Sequence, residues 1–196
     1  SDMEQLLQLD QQHYRHTQLA LNYSRELGLQ EGIVELCRRA REAAENGSVL
    51  LILSDRDIAQ ETLPIPAAMA VGAVQRTLAE NNLRCDTNII VETASCRDPH
   101  HFAVLLGLGA TAIYPYLVYE TLAKMVDDGA IRLPLQTVLL NYRTGINKGL
   151  LKIMSKMGIS TLRSYRSAQI FEAVGLNSDL VSKYFLGTSS RIEGIG

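Results

Sequence analysis

An excess of charge of one sign is missing from this chain: 19 Lys and Arg stand against 21 Asp and Glu, a formal net charge of -2. No basic surplus is therefore available to track a phosphate backbone. Aromatic residues are scarce, at 6%, and are not interleaved with Arg and Lys as a base-stacking platform requires. No nucleic-acid reading follows. Long apolar runs are missing too: the stretches at 49–53 and 102–108 fall far short of the roughly 20 residues a spanning helix needs. No charged-then-apolar signal segment opens the chain. Cysteine is limited to Cys37, Cys85 and Cys96, with no CxxC pair and no His at zinc-ligand spacing. Neither a disulfide framework nor a metal site is supported, and a reducing cytoplasm fits best. A phosphate or flavin site would need a glycine-rich turn leading from a strand into a helix. Gly107-Leu108-Gly109 precedes a strand instead, and reads as a helix end with a tight turn.

What is present is an ordinary globular composition, 196 residues with 46% hydrophobic and 20% charged, enough for one domain or one large piece of a bigger assembly. From residue 31 onward strands and helices alternate. Residues 31–46 put Ile33, Val34, Leu36, Cys37, Ala40 and Ala44 on one face of a helix that Asn46-Gly47 ends. Residues 48–53 are a continuous apolar run closed by Ser54-Asp55-Arg56, the mark of a strand buried on both faces. Further units follow: a helix at 67–81, a strand at 88–91 ending in Glu92-Thr93, a helix at 99–106, a strand at 110–113 ending at Tyr114-Pro115-Tyr116, and a helix at 117–127. A longer helical stretch, 135–157, carries Asn141, Gly145 and Gly149, so a break in its middle is expected. The fourth strand is expected at 159–162. Four such units imply an α/β fold, an open parallel sheet of about four β/α units resembling half of a β/α barrel, because a closed barrel needs eight. An open sheet leaves edges that something must cover. Residues 1–30 form a poorly patterned N-terminal segment, with the β/α region at 31–196. A loop-like run at 191–196 adds to the expectation that this is a fragment of a longer protein.

Chemistry in such a fold belongs at the carboxyl ends of the strands. That rule selects Ser54, Asp55, Arg56, Glu92, Thr93, Tyr114, Tyr116, Ser160 and Thr161. Asp55, Arg56 and Glu92 together would give a carboxylate pair and a cation able to orient a small polar ligand or act in acid-base chemistry; ion pairing or helix capping is the plainer role for the same residues. His100-His101 invites a metal or general-base reading, but adjacent helical residues point roughly 100° apart, so helix-start hydrogen bonding is expected instead. Cys96 near His100 is the least poor nucleophile candidate. Between 148 and 157, Leu150, Ile153, Met154 and Met157 share one helical face with Lys148, Lys152 and Lys156 beside them, and Gly158 is the expected stop. Lys156, Ser160 and Thr161 complete the candidates for a polar rim or a domain contact, Ser160 and Thr161 also being positioned as helix N-caps.

The segment at 148–176, KGLLKIMSKMGISTLRSYRSAQIFEAVGL, resembles one family, the large subunit of glutamate synthase. ILSDR at 52–56, IPAAMAVGAV at 65–74, VETASCRDPHHFAVLLGLGATAIYPYL at 91–117 and RIEGIG at 191–196 extend that resemblance in order from residue 31 to 196. It points to the central domain, between the N-terminal glutaminase domain and the FMN-binding barrel. The chain departs from the family pattern at Ala94-Ser95-Cys96, where Gly and an acidic residue are common, and at Ser167, often Gly. The resemblance implies a parent enzyme that hydrolyses glutamine, channels ammonia through a tunnel and adds it reductively to 2-oxoglutarate using FMN and an iron-sulphur cluster. The cysteine nucleophile, the FMN-binding residues and the cluster cysteines of that enzyme lie outside this segment, so no catalytic, cofactor-binding or metal residue carries over. The implied role is a structural interdomain module, non-catalytic alone. Its partners are the glutaminase and FMN-binding domains of the same chain, with an electron-donor subunit or ferredoxin further away. The alternative is a stand-alone small-molecule-binding or lyase-type β/α enzyme using Asp55, Arg56 and Glu92. Self-association of the open sheet is a third expectation.

Overall fold

The computed structural model describes residues 2–9 and 12–196. Its helices are α1 (Asp2–Leu7), α2 (Leu29–Glu45), α3 (Ala67–Glu80), α4 (Pro99–Gly107), α5 (Tyr116–Asp127), α6 (Leu135–Lys156), α7 (Leu162–Tyr165) and α8 (Ser178–Tyr184). The strands are β1 (His16–Ala20), β2 (Asn22–Ser24), β3 (Leu50–Ser54), β4 (Thr62–Pro64), β5 (Asn88–Glu92), β6 (Ala112–Tyr114), β7 (Glu172–Leu176) and β8 (Ser189–Ile195). The main sheet has four strands in the order β1-β3-β5-β6, every neighbouring pair parallel. Spatial order therefore repeats chain order. Parallel crossovers are right-handed almost without exception, so a sheet that always advances to the next edge keeps its connecting helices on one face.

The burial pattern agrees. Leu51, Leu53, Ile89 and Val91 alternate along β3 and β5 and pack in one cluster with Ile33 and Leu36 of α2, Val71 and Val74 of α3 and Leu105 of α4. Ile52 and Ile90 point the other way and are equally buried, against Met3 of α1. Because side chains alternate across a strand, these are the outer and inner faces of one half of a β/α barrel, the inner one met at its centre by α1. Two small ribbons flank the sheet, antiparallel β2 with β4 and parallel β7 with β8.

The fourth strand lies elsewhere than expected. Residues 159–162 form no strand: Gly158 takes a φ of 71°, Ile159 N–H bonds back to Met154 O at 2.9 Å, and Thr161 caps α7 by accepting from Ser164 N–H. These local bonds use the groups a ladder would have needed. The position is filled by β1, whose burial leaves Leu19 alone fully enclosed. One inward residue produces no apolar alternation, so HTQLA at an edge reads as unpatterned. The weakly patterned stretch 1–30 thus carries α1, β1 and β2, and residues 191–196 lie largely within β8, not a loop.

Helix α6 runs unbroken through Asn141, Gly145 and Gly149. Gly149 is explained by packing, since a Cβ there would collide with the ring of Pro99 at the start of α4. Close approach of two helices is what the missing side chain permits, outweighing glycine's roughly 1 kcal/mol helix penalty. Leu150, Ile153 and Met154 turn toward Ala103, Leu106 and Tyr165, while Met157 stays exposed.

Leu51 and Leu151 make a matched test of this packing. Leu51 is fully enclosed and Leu151 is 65% exposed, so Leu51→Ala should cost about 2–5 kcal/mol and Leu151→Ala less than about 0.5. Urea unfolding followed by circular dichroism would measure both, and equal losses would contradict the placement of β3 at the sheet centre.

Candidate functional site

Strand register assembles the rim. Ser54 at the end of β3 is level with Glu92 at the end of β5, and Glu92 with Tyr114 at the end of β6. Counting in twos from Ile52 and Ile90 puts Ser54 and Glu92 on the inner face, one layer above those isoleucines. Ser54 Oγ donates to Glu92 Oε2 at 2.6 Å, and Arg56 Nε donates to Glu92 Oε1 at 2.9 Å. A second arm of Arg56 reaches Glu120 Oε1 on α5 at 2.7 Å. The guanidinium also lies over the Tyr116 ring, 4.2 Å from its centroid. Burial works against the Arg56 charge, but Glu92 and Glu120 outweigh it and hold the group more firmly protonated.

Asp55 completes a second knot. Its carboxylate accepts from Thr93 Oγ1 and from Ala94 N–H at 3.0 Å, fixing the turn that follows β5. Asp55 N–H and Thr93 N–H carry the ladder one residue past the strands, to Glu92 O and Tyr114 O. Burial, and then the neighbouring Asp55 carboxylate, push the Tyr116 hydroxyl up to about 12, which keeps that phenol protonated at neutral pH.

The structure thus brings Asp55, Arg56 and Glu92 together with Ser54, Thr93, Tyr114 and Tyr116. Lys156, Ser160 and Thr161 are joined to none of them: Lys156 sits exposed at the end of α6, Ser160 is exposed, and Thr161 serves as the N-cap of α7. Strand-end reasoning missed Glu120, Tyr119 and Arg143. They line a cleft of about 340 Å³ with Tyr114, Tyr116 and Leu139, beside the rim. A signal for Glu120 did exist, since it lies four residues after Tyr116 in a helix and so projects from the same face.

Chemically the rim is closed on itself. Each oxygen of Asp55 and Glu92 already accepts a hydrogen bond from Ser54, Arg56, Thr93 or Ala94. A carboxylate engaged on both oxygens ties strand ends together and is poorly placed to take a proton from a ligand. Asp98 caps α4 through the N–H groups of His100 and His101, and His101 Nδ1 accepts in return from the Asp98 N–H, a reciprocal capping box. Among the described residues no three His, Cys, Asp or Glu side chains stand close enough to hold a metal ion, so an iron-sulphur cluster does not fit them. Gly109 lies at the amino end of β6, in the tight turn that follows α4, away from the strand ends. Among the described residues no helix is long and apolar enough to cross a membrane.

Two tests come from this geometry. Glu92→Gln keeps the shape but removes the charge facing Arg56, and with Glu92 buried and Arg56 39% exposed at its side chain a loss of about 1–3 kcal/mol is expected. Glu120→Gln, at an exposed partner, should cost under about 1 kcal/mol; thermal unfolding of both variants measures the difference. Burial pushes the Cys96 thiol up to about 12 and raises Cys37 as well, whereas Cys85 is exposed. Ellman's reagent at pH 8 should therefore titrate one thiol quickly and Cys96 only after denaturation.

Known proteins are similar to this sequence. A family model described as the glutamate synthase central domain matches residues 1–177. The "Glutamate synthase [NADPH] large chain" of Bacillus subtilis is 44% identical over 167 residues, covering 85% of this chain and 11% of the relative. The "Glutamate synthase [NADH]" of Schizosaccharomyces pombe is 42% identical over 170 residues, 86% of this chain and 8% of the relative. The "Ferredoxin-dependent glutamate synthase 2, chloroplastic" of Arabidopsis thaliana is 44% identical over 182 residues, 87% of this chain and 11% of the relative. The chain therefore spans about a tenth of the length of the relatives it matches. With a family-model match over residues 1–177, the chain belongs to the glutamate synthase central-domain family.

Proposed function

We propose that this chain is a structural interdomain module of a glutamate synthase, one that holds a glutaminase domain and an FMN-binding domain of the same parent chain in register and borders the ammonia path between them. The parent reaction makes glutamate from glutamine and 2-oxoglutarate. FMN and an iron-sulphur cluster belong to other parts of that parent, and electrons reach it from NADPH, NADH or ferredoxin, as the names of the relatives differ on this point. A cytoplasmic setting suits the reduced cysteines.

The observation that carries this reading is the contrast between a closed rim and uncovered helices. The rim carboxylates have all their oxygens occupied by partners within the chain. Meanwhile Leu140 and Leu151 of α6 are 61% and 65% exposed, and Leu117 and Met125 of α5 and Leu135 of α6 are exposed as well. Exposed apolar side chains on neighbouring helices are what a domain keeps for a partner.

The test is made on the isolated chain. It should release no ammonia from glutamine and take up no FMN; stoichiometric flavin binding or glutaminase turnover would overturn the reading. Against the alternative enzyme, a metabolite thermal-shift screen compares the chain with an Asp55→Ala, Glu92→Ala variant. Stabilisation that vanishes in the variant would favour a small-molecule site. Light scattering across concentration separates a monomer from a self-paired dimer.

A further inference from the structure

Two arginines are linked through Gln75 at the amino end of the sheet, far from the rim: Arg84 donates to Gln75, and Gln75 to Ser167, the residue after Arg166. Arg84 lies between α3 and β5 and is anchored by neutral acceptors alone. Its Nε donates to Gln75 Oε1, one terminal nitrogen to Thr87 O at 2.7 Å and the other to Gly109 O at 2.9 Å. These bonds pin the guanidinium against the starts of β5 and β6 and leave one N–H free on each terminal nitrogen. Arg166, directly after α7, carries a second guanidinium whose charge is felt at Arg84. Its Nε is buried and has no hydrogen-bond partner. Among the described residues neither arginine has an ion pair, whereas Arg38, Arg56 and Arg76 each meet a carboxylate.

The strain of this arrangement registers on Arg84. Burial, and after it the neighbouring Arg166 charge, lower its hold on the proton, the reverse of what Glu92 and Glu120 do for Arg56. The loop carrying Arg166 is itself held in an unusual shape: Ser167 and Gln169 take φ of 59° and 51°, and Gln75 Nε2 donates to Ser167 Oγ at 3.3 Å. Gln75 thus ties Arg84 to the Arg166 loop. Cations removed from water are ordinarily paired. A guanidinium presents its N–H groups as a planar fork that fits two oxygens of a carboxylate or phosphate. One oxyanion placed between the two would supply the missing charge and the missing acceptors together.

We propose that Arg84 and Arg166 form a binding site for a small oxyanion, a phosphate or a carboxylate, seated between their guanidinium groups at the amino end of β5 and β6. The proposal is independent of the interdomain role, because it needs no neighbouring domain. The variant of choice is Arg166→Met, since Arg166 lacks the anchoring bonds by which Arg84 supports the fold; Arg166→Lys keeps the charge without the fork.

The complete chain is titrated with inorganic phosphate and, separately, with succinate, at constant ionic strength set by sodium chloride. At tenfold over half-saturation, binding to the folded state should raise Tm by about 3–6 °C for a chain of this length. The expected result is such a rise with phosphate or succinate, its loss in Arg166→Met and a partial rise in Arg166→Lys. Which anion acts identifies the ligand class. No rise beyond the chloride control, or an equal rise in the wild type and Arg166→Met, overturns the proposal.

Discussion

The register that levels Ser54, Glu92 and Tyr114 is the constraint on which the carboxyl end of this molecule depends. A parallel sheet fixes register only as strongly as one residue's slip would misplace the apolar set. Here a slip would drive Ile52 and Ile90 onto the helix-covered face and Leu51, Leu53, Ile89 and Val91 away from it. That penalty is what allows a buried carboxylate to sit at the strand ends at all. Glu92 meets Ser54 and Arg56 because the sheet leaves it no other position, and Arg56 then reaches across to Glu120 and ties the first turns of α5 to β3. The polar layer at the top of the half-barrel is a consequence of the apolar layer beneath it.

What the sequence disclosed follows the same division. Strands with continuous apolar character, β3 and β5, and helices with a broad apolar face, α2 and α3, were legible because burial dictates composition over many residues. β1 was not, since an edge strand with Leu19 as its one enclosed side chain carries almost no pattern. The expected strand at 159–162 was lost to Gly158 and Thr161, whose local hydrogen bonds turn the chain before any partner strand comes within reach. Gly149 was misread as a helix weakness because its cause, the ring of Pro99, lies fifty residues away in sequence. Of the site, Asp55, Arg56 and Glu92 were identifiable from strand ends alone. Tyr119 and Arg143 were not, because they reach the rim from helices whose placement beside β6 no local pattern encodes.

Half of a β/α barrel has a structural difficulty that a whole one does not: its inner face and its two edge strands are left open. In this chain the inner face is met by α1, with Met3 against Ile52 and Ile90, so a short helix does the work that four more strands do in a closed barrel. The helix-covered side is finished differently. α6 extends along α4 and α5, brought close by Gly149, and offers Leu140 and Leu151 to whatever lies outside. Enclosure therefore reaches the middle of the inner face, at Ile52 and Ile90, and stays incomplete on α5 and α6.

That asymmetry bears on what a β/α sheet can do with the residues at its strand ends. The fold directs strand-end residues to one rim whatever their identity, and a rim of mixed charge has two outcomes. If one partner is missing, a buried group is left with a perturbed proton affinity and becomes reactive. If every oxygen finds a donor, the same residues become a clamp. Ser54 and Arg56 supply both donors that Glu92 needs, and Thr93 with the Ala94 N–H supplies those of Asp55. Reactivity and rigidity draw on the same hydrogen-bonding groups, and this sequence assigns them to rigidity. A rigid rim with apolar helices beside it suits a part whose task is to keep other parts at fixed separation, since a scaffold that yielded at its strand ends would pass that looseness to both of its neighbours.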